Sequence, residues 1–230
     1  MNRAFKRVVA SIGIGVGLML TQAPASAGPG DVDKSGAAFW QWALSIPSEV
    51  NPLLDTTGED CLVGQSGGVW YLAGNWNGSP SSPISRACTV PAGTAFFVPV
   101  FNFVNVNAPD LCGQVGSLSV DELRGQVAPF VDGATNLVLT VDNVNVGNLR
   151  RIKSGVFALT LPEDSLFNVP TFCGPGAIPA GVYSPAIDDG YYGQVNALSP
   201  GSHVVHIHAD WAFGSVDVTY TLNVVATINH

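Results

Sequence analysis

The chain has 230 residues, 47% hydrophobic and only 11% charged, with 9 basic against 17 acidic side chains and a net charge of −8. That balance excludes intrinsic disorder, which needs low hydrophobicity and a high density of charge. It also argues against nucleic acid as a partner, because binding phosphate backbones takes clustered Lys and Arg.

Arg3, Lys6 and Arg7 precede an apolar stretch over 8–20, and Ala25-Ser26-Ala27 places small residues where a signal peptidase reads them. The pattern predicts a cleaved secretory signal over 1–27 and one secreted β-rich domain over 28–230, in the periplasm or the medium. Losing three basic residues and no acidic one takes the net charge to about −11. No later apolar run is long enough to span a bilayer.

Residues 28–35 read as a Gly/Asp linker. A short helix is predicted over 35–46, with Phe39, Trp42 and Ile46 at helical spacing and Pro47 as its stop. Residues 51–60 are turn-rich, 68–74 read as a buried strand, and 75–85 as an exposed loop. After a turn at 90–93, the segment TAFFVPVFNFVNV over 94–106 is the most hydrophobic beyond the signal and predicts a central strand. Its Pro99 implies a bulge or an edge. Ser119 and Glu122 match a capping box for a helix over 120–131, with Pro129 weakening its last turn.

Strands follow over 136–141 and 155–161. Arg150, Arg151 and Lys153 read as a solvated turn, and residues 162–190 as a long ordered loop pinned by Cys173. The clearest hairpin is 202–210 with 215–225, joined by Trp211-Ala212-Phe213-Gly214. Strict alternation turns Val205, Ile207 and Ala209 to the core, opposite Val216, Val218, Tyr220, Leu222 and Val224. The fold class is therefore mostly β, a disulfide-braced β-sandwich (Ig-like or jelly-roll-like) with one or two short helices.

Cys61, Cys88, Cys112 and Cys173 form an even set, which in an exported chain predicts two disulfides. Three pairings are open. Cys61–Cys88 with Cys112–Cys173 is preferred because those local loops close at least entropic cost. Each bridge contributes on the order of 3–4.5 kcal/mol in the chain-entropy model. A zinc site built on these cysteines is disfavoured, since no CxxC or CxxxH pair occurs.

Several short patterns occur in a fixed order. They are Trp40-x-Trp42, Ser45-Ile46-Pro47, Asn51-Pro52, Gln65-x-Gly67-x-Val69-Trp70-Tyr71-Leu72-Ala73-Gly74, Arg86-x-Cys88-x-Val90-Pro91-Ala92-Gly93, Asp189-Gly190-Tyr191, and Leu198-Ser199-Pro200-Gly201-x-His203. Together they resemble a family of uncharacterised secreted bacterial proteins with no established activity, over most of residues 38–225. The Pro-Gly-x-His turn into a terminal strand also resembles Ig-like extracellular modules. What the resemblance implies is secretion and fold rather than a reaction.

Three groups of residues are candidates for chemistry. His206, His208 and Asp210 alternate on one strand face, where two imidazoles and a carboxylate could converge on a divalent metal. The same alternation also describes the solvent face of an amphipathic strand. His203, on the opposite parity, reads as a structural hydrogen-bonding residue. Glu59-Asp60 and Asp188-Asp189, with Asp55 and Asp110, offer loop carboxylates of the kind a glycosidase needs across a cleft; Asp188-Asp189-Gly190 is first of all a turn signature. Trp76, Trp211, Tyr191 and Tyr192 could form a flat ligand platform for sugar rings, or Trp76 and Trp211 could be lids folded onto the sandwich.

No nucleophile elbow, dinucleotide fingerprint or P-loop is present. The leading reading is a secreted, non-catalytic binding or surface-interaction module for carbohydrate or an extracellular protein, without a cofactor. The alternative is a secreted hydrolase using loop carboxylates or a His/Asp metal centre. A structural envelope component without a ligand is the third.

Overall fold

The computed structural model describes residues 29–76, 83–147 and 149–226, so the predicted signal and its cleavage point lie outside the described residues. Helix α1 spans Pro29–Ser45. Most of the segment read as a linker is therefore its first turns. Proline loses nothing at a helix start, where its missing N–H would be unpaired anyway. The helix stops before Pro47, and buried Asn51 closes it. The Asn51 amide donates to the carbonyls of Ala43 (2.8 Å) and Ile46 (2.9 Å), satisfying acceptors the helix end leaves open.

Two five-stranded sheets pack face to face. In the first, β1 (Val69–Tyr71) runs parallel to β3 (Ala95–Val106), which pairs antiparallel with β8 (Gly181–Val195). Beyond β8 lie β6 (Arg150–Lys153) and β7 (Phe157–Leu161). The second sheet has the order β2 (Ile84–Pro91), β10 (Gly214–Val225), β9 (Gly201–Trp211), β4 (Thr135–Val141), β5 (Val144–Asn145). With the two disulfides Cys61–Cys88 and Cys112–Cys173, this is the disulfide-braced sandwich the alternation predicted.

The core between the sheets joins Phe96, Val98, Val100 and Phe101 of β3 to Val205, Ile207, Ala209, Val218, Tyr220 and Leu222. α1 covers the other face of the first sheet, where Phe39, Trp40, Ala43 and Leu44 meet Phe97, Leu159, Ala186 and Tyr192. α2 (Val120–Asp132) covers Ile187 with Leu123, Val127 and Val131. Its capping box is formed as predicted, and Pro129 is accommodated in the last turn.

Four local expectations are corrected. Residues 181–190 are part of strand β8, not loop, and Asp188-Asp189-Gly190 lies in its middle. Arg150, Arg151 and Lys153 lie on strand β6, paired with that stretch. β2 starts at Ile84, where an exposed loop was predicted, and pairs parallel with β10. β1 is only three residues long and half exposed rather than buried. Elsewhere the register shift between Pro99 and Phe101 is the bulge that Pro99 implied.

Candidate functional site

Arg86 points inward from β2 and is almost fully buried. Its guanidinium donates to the carbonyls of Asp55 (2.8 Å) and Ala73 (2.7 Å) and to the Tyr220 hydroxyl (2.6 Å), while that hydroxyl donates to the same Ala73 carbonyl (2.7 Å). The backbone just before Gly74-Asn75-Trp76 is thus fixed from two strands. The Trp76 backbone N–H donates to the Leu53 carbonyl, and the indole packs against Phe172 (5.3 Å between ring centroids), Phe167 (5.6 Å) and Trp40 (6.1 Å).

Trp76 is one wall of a cleft with a cavity volume of about 90 Å³. Trp40, Phe101, Phe103, Phe167, Phe172 and Trp211 complete the aromatic lining, and Asn75 and Asn102 contribute amides. The cleft brings Trp76 and Trp211 together although 134 residues separate them in the chain as numbered. Trp211 touches Phe103 at 5.3 Å and carries Phe213, which is 74% exposed, on its outer side at 5.3 Å. Trp76 itself is only 5% exposed. It is a wall and not a surface platform.

Two donors in the lining are left over. The buried Trp76 Nε1–H finds no acceptor among the described residues. The Asn102 amide lies beside the Tyr192 hydroxyl, yet its Nδ2 completes no hydrogen bond among the described residues. A buried N–H without an acceptor is unfavourable by roughly 1–3 kcal/mol, so this wall gains from any ligand oxygen placed against it. A second cavity of about 370 Å³ shares Val104, Phe167 and Phe172 with the first. Its walls include the Cys112–Cys173 bridge, Asn105, Gln114 and Gln126.

Tyr191 and Tyr192 do not join Trp76 and Trp211 in the lining. Tyr192 is buried under α1, stacked on Phe97 at 5.1 Å, and its hydroxyl donates to the Asp188 carboxyl (2.5 Å). Tyr191 lies on the other face of β8, packed against the α2 cluster with the Arg151 guanidinium 5.9 Å above its ring.

The carboxylates read as loop groups are held by the fold. Asp188 is fully buried; Trp40 Nε1–H donates to it at 2.7 Å, and its own backbone N–H donates to Ser154 Oγ at 2.8 Å. Burial, opposed by the hydrogen bonds from Tyr192 and Trp40, pushes its carboxyl up to about 7. Asp189 faces the opposite side and is gripped by Arg151 through two bonds of 3.0 and 2.9 Å, while Arg151 also pairs with Asp132. Asp55 accepts from the backbone N–H of Thr57, Gly58 and Asp60, bonds that hold its carboxyl below the usual range against the effect of burial. Asp110 accepts from Gly116 N–H. The Asp60 carboxyl is raised by burial and by the charges of Asp55 and Glu59 beside it.

His206, His208 and Asp210 share the outer face of β9, away from the buried Val205, Ile207 and Ala209. His206 Nε2 lies 2.9 Å from Asp217 Oδ1, and His208 Nε2 lies 3.4 Å from Asp210 Oδ1. Asp217, on β10, is the residue the sequence reading missed; it pairs directly with His208. The predicted hairpin already turned Val216 and Val218 inward, so the signal was there in the parity. His203 is structural as expected: it bonds Asp142 at 2.7 Å and the Ser199 carbonyl at 2.9 Å. The Asp142 contact raises the imidazole and lowers the carboxyl.

Comparison of the chain with protein-family models, with curated proteins and with solved structures finds no match. Several residues of the ordered patterns have structural duties: Asn51 closes α1, Gln65 holds both backbone groups of Tyr71, Arg86 fixes Ala73, and Asp189 anchors Arg151. Such residues define a fold and name no reaction.

Proposed function

We propose that the protein is a secreted, non-catalytic binding module whose ligand is carbohydrate, held in the aromatic cleft. The observation that carries this reading is the buried, unpartnered Trp76 indole N–H set among flat aromatic walls. Sugar rings present apolar C–H faces to such walls and oxygens to such donors. The small cavity is below the size of a pocket that engulfs a whole ligand. It takes one substituent, while the rest of the ligand lies over Phe172 and the wider second cavity. A methyl group beside a carbonyl acceptor suits an apolar cavity holding one N–H donor, so the substituent we assign is the acetamido group of an N-acetylated sugar.

Secretion belongs to the same proposal. It rests on the basic n-region, the apolar stretch and the small-residue cleavage pattern, with the two disulfides and an acidic surface in support. Among the described residues no helix is long and apolar enough to cross a membrane.

The test is calorimetric titration of the untagged protein with matched oligosaccharides, acetylated and de-acetylated. The acetylated ligand should bind, and Trp76→Phe, which keeps the ring and removes the N–H, should weaken binding about tenfold. Equal affinity for both ligands, or an unchanged Trp76→Phe, would rule the acetamido assignment out. Absence of binding to any glycan would remove the carbohydrate reading itself.

A further inference from the structure

The geometry points to a divalent transition-metal site on the exposed face of the second sheet, with His206, His208 and Asp217 as ligands and Asp210 as the carboxylate that orients His208. Three features of the strands assemble it. Period-2 alternation puts His206 and His208 on one face of β9, with ring centroids 6.2 Å apart and planes inclined by 33°. The hairpin register sets Asp217 directly across from His208. One carboxylate then reaches both imidazoles, with Oδ1 2.9 Å from His206 Nε2 and Oδ2 3.7 Å from His208 Nδ1.

The ligand atoms of the three residues all lie within 4.8 Å of one another. Tetrahedral coordination at about 2.0–2.1 Å needs them roughly 3.4 Å apart. Side-chain rotation on a fixed backbone closes that difference.

Asp210 has another part. Its Oδ1 faces His208 Nε2, the ring nitrogen opposite the one turned to Asp217, while its Oδ2 accepts from Asn136 Nδ2 at 2.7 Å. A carboxylate accepting from one imidazole nitrogen fixes the tautomer that leaves the other free as a ligand. Asp210 therefore acts through His208, a role distinct from the ligand role that strand spacing alone assigns it.

The surroundings favour a cation. No Lys or Arg occurs in β4, β9 or β10, and the residues paired with His206 and His208 from β4 are Thr140 and Val138. The three ligand side chains are 25–36% exposed, which leaves coordination positions open to water. Two imidazoles and one carboxylate select zinc and its neighbours over calcium or magnesium, which prefer all-oxygen shells. The site stands independently of the aromatic cleft.

The experiment is calorimetric titration of zinc into the untagged, chelator-stripped full chain. One equivalent should bind, and His206→Ala or Asp217→Ala should lower the affinity by more than about a hundredfold. Asp210→Ala should lower it by about 10–100-fold, as losing a supporting carboxylate does. His203→Ala should leave it unchanged. These side chains lie on the outer sheet face, so unchanged melting of each variant separates lost binding from lost fold. Zinc should also shift the Nδ1 rather than the Nε2 resonance of His208. Failure of the wild type to take up one equivalent at micromolar zinc would overturn the site, as would wild-type affinity in Asp217→Ala. An Asp210→Ala loss as large as that of His206→Ala, or a loss in His203→Ala, would overturn the assignment of roles.

Discussion

Asp188 offers the sharpest test of how this interior is built. Its carboxyl is fully buried and pushed up to about 7, first by burial and then by the Asp189 charge, against the opposing hydrogen bonds of Tyr192 and Trp40 and the charge of Arg124. In the unfolded chain it titrates near its ordinary value of about 3.9. The fold therefore holds a proton that the unfolded chain releases, and stability falls as pH rises between those two values. Below the unfolded value the penalty is absent, and above the folded one it is complete. Between pH 5 and pH 8 the two values give a loss of roughly 2–3 kcal/mol from this group alone.

Asp188→Asn removes the titration while keeping the shape. Its oxygen can accept from Trp40, and its amide can donate to the Tyr192 hydroxyl, reversing that bond. Gly36 makes room for either side chain, since a Cβ at that position of α1 would stand 2.5 Å from Asp188 Oδ2. Urea unfolding of both proteins at pH 5 and pH 8 should show the variant gaining roughly 2–3 kcal/mol relative to wild type over that interval. Parallel curves for the two proteins would refute the reasoning, because Asp188 would then be ionised in the fold throughout.

Trp76→Ala should be destabilising by about 3–5 kcal/mol, read as a large drop in melting temperature, because the indole is buried among Phe167, Phe172 and Trp40; a neutral effect would return it to the surface. Arg151→Met should cost about 3–5 kcal/mol by leaving the buried Asp189 carboxylate without its partner, and unfolding of that variant together with Asp189→Asn should recover part of the loss. Intact mass under non-reducing conditions should be one hydrogen per cysteine below the all-thiol value, because both bridges are closed. With separations of 27 and 61 residues, removing them should cost about 3.5 and 4.3 kcal/mol in the chain-entropy model.

The elements legible in the sequence are those whose signal is local. The terminal hairpin alternates over two long strands, and a one-residue slip would expose its whole apolar face, so its register and core residues follow directly. The capping box of α2 is satisfied by residues three apart. Loop entropy, which depends on separation along the chain, left three disulfide pairings open and preferred the one that forms.

What only the tertiary structure decided involves partners distant in sequence. Asp188-Asp189-Gly190 carries turn chemistry, yet it forms strand because Trp40 binds one carboxyl from across the chain and Arg151 the other. Asp217 joins His206 and His208, and Trp76 meets Trp211, only when strands and loops from separate segments are brought together. Local patterning specifies which face of a strand is buried. Which polar and aromatic groups meet there, and so which chemistry the surface can perform, is set by how the sheets and helices pack.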